Sequence, residues 1–185
     1  MNGTKGKMAE AFKELVCKKS FQKITISDIA KESAMTRENF YYHFRDKYDL
    51  VNWIFYSEFL ASVQVAQCTN NWEFLESICR YFYSERSFYR NALRIEGQNS
   101  FQDYFREMVG PLLINFSQDL VPHHTNPEFA VNFIGDALLA ALIRWLTEAN
   151  PLPPDEYLAQ VREMLDSFAC ILRPDHRANG PEQSH

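Results

Sequence analysis

Glycine and long apolar runs are scarce in this chain of 185 residues. It has only 6 glycines, and no glycine or proline stands between Lys47 and Gly97. Because strand-like alternating runs are also few, this scarcity favours helix throughout. The longest strongly apolar run, Ala137–Ile143, falls far short of the roughly 18 residues that a membrane span requires. We therefore expect an all-α protein without a transmembrane helix.

Paired cysteines are also missing. The four cysteines lie far apart and form no CxxC pair: Cys17, Cys68, Cys79 and Cys170. In a chain without a signal peptide, scattered cysteines are typical of a reducing compartment, where most thiols fill the core. We therefore expect a soluble, cytoplasmic protein.

Lysine does not occur after Lys47, and all eight lysines lie before or at this position. Residues 1–50 contain ten lysines and arginines against seven aspartates and glutamates, a net charge of +3, whereas residues 51–185 carry a net charge of −8. A basic head on an acidic body would concentrate the attraction for phosphate at one end of the chain. The alternative is that these lysines merely cover a solvated helix surface.

Three helix-start signals follow one another in the basic segment. Thr25-x-x-Asp28 and Asp46-x-x-Asp49 match the capping-box pattern, and Thr36 is a suitable N-cap. These signals predict two short helices joined by a tight turn, followed directly by a third helix.

The second of these short helices is rich in hydrogen-bond donors. Phe40 and Phe44 are four residues apart and anchor one face of the helix to the core. The other positions carry polar side chains or rings: Arg37, Asn39, Tyr41, Tyr42 and His43. Two short helices joined tightly, the second rich in donors, are how proteins place a helix in the DNA major groove. The segment therefore predicts a helix-turn-helix that binds double-stranded DNA.

The rest of the chain predicts a helical body. A long helix from Asp46 to about Cys68 would join head and body rigidly, because it contains no helix breaker. Other helices are expected near residues 4–19, 72–84, 87–95, 99–120, 128–149 and from 155 onward, with a loop at 121–127. We expect a DNA-binding head at residues 1–50, a helical effector-binding and dimerisation body at residues 51–172, and a disordered tail at residues 173–185.

The last predicted helix carries a narrow apolar seam. Its apolar residues follow 3-4-3-4 spacing: Leu158, Val161, Leu165, Phe168 and Leu172. The preceding helix contains the run ALLAALI, whose small residues allow close helix approach. These two helices either pack on the body core or pair with their copies in a four-helix dimer interface. Together with the head, the pattern favours a homodimer.

The residues FYYHFRDKYDL resemble the signature of the TetR (tetracycline repressor) family of bacterial transcriptional regulators. The resemblance covers about Thr4–Ile54 and includes the pattern ITISDIA. The body is similar to a C-terminal domain of dihydroxyacetone kinase operon regulators through FYRNAL, GQNSF and IRWLTEANPLPPDEYLAQV. The resemblance implies an all-α fold with a three-helix head joined by a long helix to a helical-bundle body. It also implies a homodimer that binds palindromic operator DNA and responds to an effector.

The resemblance assigns roles within the head. It places Arg37 and Asn39 toward base edges and a phosphate at Lys47. It places three ring side chains on bases and backbone: Tyr41, Tyr42 and His43. The chemistry agrees, because arginine spans the O6 and N7 acceptors of guanine and asparagine pairs with adenine.

The hydroxyl side chains of the head have two compatible roles. Thr25, Ser27 and Thr36 either cap helices or donate hydrogen bonds to phosphate. Glu38 departs from the family pattern, because an acidic side chain beside phosphates is unfavourable unless it accepts a hydrogen bond from a cytosine amine.

Aromatic side chains are numerous in the body. They either line a cavity for an apolar or planar effector or form a packed core. The candidate pocket residues are Phe59, Phe82, Phe101, Tyr104, Phe105 and Trp145.

Catalytic and metal-binding patterns are missing. The adjacent His123 and His124 have no third ligand at helical spacing, so we predict no metal site. No nucleophile with a base and no glycine-rich phosphate loop is recognisable, and we predict neither an enzyme nor a cofactor.

Two functions remain. The first is an autonomous repressor, a homodimer that leaves its palindromic operator when an effector changes the spacing of the heads. The second is a transcriptional co-activator whose DNA binding depends on a partner protein.

Overall fold

The structure, a computed structural model, describes residues 3–61, 71–94, 100–116 and 126–172. The helices are α1 (Thr4–Lys18), α2 (Ile26–Glu32), α3 (Arg37–His43), α4 (Lys47–Phe55), α5 (Asn71–Ser84), α6 (Arg86–Ala92), α7 (Phe101–Phe116), α8 (Pro127–Thr147) and α9 (Pro154–Leu172). Every regular element in these ranges is helical, so the predicted all-α class is confirmed. None of the helices within the same ranges is long and apolar enough to cross a membrane. The chain divides into two compact units, Met1–Pro151 and Leu152–His185.

The head consists of α1, α2 and α3 around a buried apolar core. α1 packs against α2 and α4. The core residues that are buried include Met8, Phe12, Leu15, Val16, Phe21, Ile24, Ile29, Ala30, Phe40 and Phe44. Ile26, the first residue of α2, is only partly buried. The apolar stripe of α1 therefore packs against α2, and α2 in turn packs against α3.

The helix starts follow the predicted caps, with one difference. Thr25 and Asp28 form the expected capping box, and the Thr36 hydroxyl accepts from the Asn39 N–H at 3.1 Å. Asp46 caps α4 as predicted. The second capping box was wrong in its return bond, because the Asp49 carboxylate accepts from the Arg45 N–H at 3.0 Å, one residue before the expected donor.

The turn between α2 and α3 contains a left-handed residue. Ala34 has φ = 55°, a conformation that side chains with a Cβ rarely adopt. The Met35 N–H donates to the Ala30 carbonyl at 2.8 Å, and the buried Ser33 hydroxyl donates to the Ile29 carbonyl at 2.7 Å. These bonds satisfy carbonyls at the end of α2 and fix the angle at which α3 leaves the turn.

The predicted long helix from Asp46 to Cys68 does not continue as an α-helix. After Phe55 the backbone widens into a π-helical turn, Tyr56–Leu60, and the Ala61 N–H donates to the Tyr56 carbonyl at 2.8 Å. Neither proline nor glycine marks this change, and π-helical turns occur frequently at functional sites. The continuation of the predicted helix, residues 62–68, lies outside the described residues.

Helices α5 to α8 form the body of the first unit. α8 packs along α7 and also contacts α5 and α6, while α6 packs on α1 of the head. Two predicted boundaries were wrong: α6 ends at Ala92 rather than near Ile95, and α8 begins at Pro127 rather than after it. Proline suits this first helical position because a backbone N–H, which proline lacks, would have no acceptor within the helix there. Asn126 caps the helix. Residues 121–125 of the loop predicted at 121–127 lie outside the described residues, and these include His123 and His124.

The second unit contributes α9. Leu158 is buried and Val161 is partly buried, whereas Leu165 is 53% exposed. The predicted seam is therefore not uniform along the helix. The side chains of Phe168 and Leu172 are outside the described part of the chain, and so is the predicted tail at 173–185.

Candidate nucleic-acid interface

Helix α3 is fixed to the head by Phe40. Its ring is fully buried and packs against Phe44 with ring centroids 5.6 Å apart. Because Phe40 stands in the middle of a helix of two turns, it sets which α3 side chains face outward. Tyr41 packs edge-on against Phe40, with ring centroids 5.8 Å apart, and still keeps half of its surface exposed.

The outward side of α3 carries large donors in water. Arg37 is exposed, Tyr41 is 51% exposed and Tyr42 is 83% exposed. His43 lies beside Tyr42 with ring centroids 4.9 Å apart. Contact of large aromatic rings with water is unfavourable. A run of such rings beside an arginine therefore indicates a binding surface. We refer to Arg37, Tyr41, Tyr42 and His43 as the α3 surface.

Asn39 is less available than these four. Its side chain is partly buried, and Nδ2 lies 3.7 Å from the Met35 sulfur. Since a thioether is a weak acceptor, this contact would be exchanged readily for a base edge.

Glu38 is exposed in the first turn of α3. A hydrogen bond from its own backbone N–H, followed by one with the Thr36 side chain, lowers the pKa of the Glu38 carboxyl. The carboxylate therefore stays ionised at neutral pH, and the conflict expected from an acidic residue beside phosphates remains.

Thr25 and Ser27 are exposed beside the start of α2. The Thr25 hydroxyl lies 2.8 Å from Asp28 Oδ2, and Lys19 Nζ lies 2.8 Å from the same oxygen. The hydrogen bond from Lys19, reinforced by those from Thr25, holds the pKa of Asp28 well below its usual value. Thr25 therefore acts as a cap in this structure, while Ser27 is exposed and its hydroxyl makes no hydrogen bond within the described residues.

Lys47 has internal acceptors. Its ammonium donates to the carbonyls of Phe21, Gln22 and Ile24 at 2.8, 3.2 and 2.9 Å. Burial lowers the pKa of this ammonium. The positive charge at the start of α4 is thus tied to the turn before α2, and a phosphate at this place would meet a lysine already engaged with backbone.

Arg45 is a surface cation that was not among the predicted site residues. It lies two residues after the end of α3, and its side chain is 71% exposed, 3.6 Å from the Asp46 carboxylate. The arginine stands within the signature HFRDK, but nothing in the spacing distinguishes it from a solvated loop residue. Its position makes it a candidate for a phosphate contact at the edge of the α3 surface.

The candidate effector residues of the body surround Phe55. Their ring centroids lie 5.3 to 6.4 Å from that of Phe55: Phe59, Phe82, Phe101, Tyr104 and Phe105. We call these six side chains the aromatic cluster. Four of the five predicted members are at most 2% exposed, and burial raises the pKa of the partly buried Tyr104. Trp145 stacks on Tyr83 instead, with ring centroids 5.6 Å apart.

An exposed aromatic pair lies on α8. Phe129 and Phe133 are 62% and 64% exposed, and their rings stack at 5.9 Å. Three exposed alanines continue the same helix: Ala137, Ala140 and Ala141. A helix with two large rings followed by small residues on its exposed side has an apolar surface that is unusual for contact with water.

Two family models match successive parts of the chain. Residues 10–54 match the family described as bacterial regulatory proteins, tetR family. Residues 70–167, more than half of the chain, match the family described as transcriptional regulator C-terminal region.

One curated relative matches part of the chain. It is the HTH-type dhaKLM operon transcriptional activator DhaS of Lactococcus lactis subsp. lactis (strain IL1403), 27% identical over 99 residues. The match covers 53% of this chain and 52% of the relative, so this chain aligns with about half the length of that protein.

Two solved structures share the fold. A TetR transcriptional regulator from Streptococcus agalactiae 2603V is 19% identical, with 88% of this chain and 93% of that chain covered and a TM-score of 0.68. Thermus thermophilus FadR, a TetR-family repressor in complex with lauroyl-CoA, is 17% identical, with 95% and 99% covered and a TM-score of 0.67. At these identities the likeness shows the fold alone.

Because family matches cover both head and body, the chain belongs to the TetR family of bacterial transcriptional regulators, and the resemblance in its sequence is confirmed.

Proposed function

We propose that this regulator binds a palindromic operator as a homodimer and acts as a repressor that an effector in the body releases. The observation that carries the proposal is the α3 surface, where Arg37, Tyr41 and Tyr42 stand exposed above the buried Phe40. Such a surface offers a bidentate donor for a base edge and phenol groups for phosphate.

The proposed roles of the head and the body agree with the net charges of these two parts. Residues 1–50 would form the DNA-binding domain, residues 51–172 the effector-binding and dimerisation domain, and residues 173–185 a tail. The positive head would attract the phosphate backbone, while the negative body would limit binding of the rest of the chain to DNA. Thr25, Ser27, Thr36, Asn39, His43 and Lys47 remain part of the proposed DNA-binding set.

The proposed dimer rests on two apolar surfaces. Phe129 and Phe133 on α8 are exposed as a stacked pair, and Leu165 on α9 is more than half exposed. A second copy would cover these surfaces, because symmetric dimers use the same patch on both subunits. Leu158 is buried, so it does not belong to the exposed part of α9.

The proposed effector is apolar or planar. Phe55, Phe59, Phe82 and their neighbours supply aromatic surface of the kind that apolar ligands contact. FadR of Thermus thermophilus, which shares the fold, was solved with lauroyl-CoA, a ligand with an apolar chain. Because the cluster is closely packed, an effector would have to displace rings in order to enter it.

A second candidate function is a transcriptional co-activator whose DNA binding depends on a partner protein. It is favoured by the match to a protein named a transcriptional activator over 99 residues. A regulator of this kind would bind its operator weakly on its own.

The experiment that separates the two candidates is fluorescence anisotropy of the purified protein on the DNA upstream of its own gene. The control is a scrambled duplex of equal length and base composition. Specific binding by a dimer that persists at about 150 mM salt supports the autonomous regulator. Equal, weak binding to both duplexes that vanishes with salt contradicts it and favours the co-activator.

A further inference from the structure

A lysine of the head is held by two glutamates of the body. Lys13 Nζ on α1 lies 2.5 Å from Glu58 Oε2 and 3.0 Å from Glu85 Oε2. The Lys13 and Glu58 side chains are only 20% and 19% exposed. Attraction between charges increases as water is removed, so this contact is stronger than a pair on an open surface. Lys13 Nζ also lies 5.9 Å from the centroid of the Phe88 ring on α6.

The same glutamate oxygen binds a tyrosine. Tyr81 on α5 donates its hydroxyl to Glu58 Oε2 at 3.1 Å, and the hydroxyls of Tyr81 and Tyr89 lie 2.8 Å apart. Burial raises the pKa of both phenols, so both remain protonated donors at neutral pH. Lys13, Glu58 and Tyr81 thus form a continuous chain of polar contacts, which we call the Lys13 chain.

The Lys13 chain ends inside the aromatic cluster. The Tyr81 ring stacks on Phe59 with centroids 5.0 Å apart, and the Tyr89 ring meets Phe82 edge-on at 4.5 Å. Glu58 and Phe59 are neighbours within the π-helical turn. This turn therefore presents a carboxylate to the head and a ring to the cluster through two consecutive residues. A shift of the rings would move the Tyr81 hydroxyl and the carboxylate that it holds.

The start of α6 connects the Lys13 chain to α8. Glu85 binds Lys13, while the next residue, Arg86, donates from Nε to the Leu146 carbonyl at 2.9 Å and from Nη2 to the Glu148 carbonyl. Two adjacent side chains thus join α6 to the first helix of the head and to the end of the helix that carries Phe129 and Phe133. Head orientation and the proposed dimer helix share one support.

We infer that Lys13, Glu58 and Tyr81 are positioning residues that hold the head at one orientation to the body and transmit displacement of the aromatic cluster to the DNA-binding helix. With the contacts intact, α1 is fixed and the two heads of a dimer keep the separation that the operator requires. When an effector displaces the Tyr81 ring, Glu58 loses the hydrogen bond from the Tyr81 hydroxyl. The Glu58 carboxylate then moves, and the ion pair that fixes Lys13 is weakened. The inference rests on the proposed function, since it explains how the body controls binding by the head.

The test uses two variants that remove single groups. Tyr81→Phe deletes the hydroxyl and keeps the ring, and Lys13→Met deletes the charge and keeps the length of the side chain. Tyr83→Phe, which removes a hydroxyl two residues further along α5, is the matched control. Lys13→Arg is the conservative rescue, because a guanidinium can bind both glutamates.

The primary measurement is the distance between the head and the body by pulsed electron spin resonance. Spin labels at the exposed Cys17 and at an introduced cysteine, Glu107→Cys, report it in a background with Cys68→Ser and Cys170→Ser. Dilution with unlabelled protein restricts the signal to pairs within one chain, so the result does not depend on dimer formation.

We expect Tyr81→Phe and Lys13→Met to broaden or shift this distance distribution, while Tyr83→Phe and Lys13→Arg keep it. Operator affinity should fall about fivefold or more in the first two variants, the lower range of coupling between sites. Unchanged distances in Tyr81→Phe and folded Lys13→Met overturn the inference, whatever the affinity. Failure of the wild type to bind its upstream DNA contradicts the proposed function instead, and the distance measurement still decides whether the Lys13 chain positions the head.

Discussion

Lys47 and Phe21 are joined by two contacts. The Lys47 ammonium donates to the Phe21 carbonyl at 2.8 Å and lies 4.8 Å from the centroid of the Phe21 ring. Since the same ammonium also reaches Gln22 and Ile24, it binds the start of α4 to the turn between α1 and α2. The family resemblance assigns a phosphate contact to this lysine. Within the free protein its three carbonyl acceptors give it a structural role as well.

We predict that Lys47→Met destabilises the head. The substitution leaves three carbonyls without their charged donor, and hydrogen bonds to charged groups contribute about 1.5–3 kcal/mol. A loss of 1 kcal/mol lowers the melting temperature of a chain of this length by about 2–4 °C, so the melting temperature should fall by about 3–12 °C. Differential scanning calorimetry without DNA measures the effect. Lys23→Met, at an exposed lysine in the same turn, should change the melting temperature far less. Equal melting temperatures for wild type and Lys47→Met would show that the ammonium adds nothing to stability.

We predict different consequences for Arg37→Ala and Arg45→Ala. Arg37 starts α3 on the proposed base-reading side, so its loss should cost about 1–3 kcal/mol and relax preference at one base pair. Arg45 follows α3 as an exposed cation, so its loss should weaken all sequences alike and reduce the slope of log affinity against log salt by about 0.9.

Anisotropy on the operator, on single-base variants of it and on a scrambled duplex distinguishes these two outcomes. A salt titration on each duplex gives the slope. The division into base and phosphate contacts is mistaken if both variants change all duplexes by the same factor.

Short-range patterns predicted the head well. The Thr25 and Thr36 hydroxyls each accept a hydrogen bond from a backbone N–H three residues later, and sequence spacing alone predicts these bonds. The burial of Phe40 follows in the same way from its periodicity with Phe44. Capping bonds and helical periodicity depend on the types and spacing of neighbouring residues and not on the rest of the fold.

Contacts between distant segments could not be predicted in this way. Lys13 and Glu58 are 45 residues apart, and Lys47 reaches carbonyls more than 20 residues away. The π-helical turn could not be predicted from a helix-breaking residue, because Tyr56–Leu60 contains neither glycine nor proline. Which charge meets which depends on how α1, α5 and α6 pack, and periodicity within a helix carries no information about that packing.

We predict that Ala34→Gly stabilises the protein. Ala34 adopts φ = 55°, where a Cβ costs about 1–2 kcal/mol. Glycine removes this cost but loses more backbone entropy on folding, so the net gain should be about 0.5–1 kcal/mol. Ala34→Val at the same position should destabilise, because a branched Cβ fits the left-handed region worst. Thermal unfolding by circular dichroism gives both signs. A lower melting temperature for Ala34→Gly would mean that the turn tolerates Ala34 without strain.

We predict that two cysteines react very differently with a thiol reagent. Cys17 is exposed, whereas Cys79 is fully buried in α5, and burial raises the pKa of its thiol to about 12. At pH 8 about one Cys79 thiol in ten thousand would then be ionised, and the thiolate is the reactive form. In a Cys68→Ser/Cys170→Ser background, Ellman's reagent should titrate one thiol per native chain and two in guanidinium chloride. Adding Cys17→Ser should abolish the native reaction and leave the denatured one. Rapid native reaction of two thiols would show that α5 opens readily, and the packing of the aromatic cluster around Phe82 would then be looser than its distances indicate.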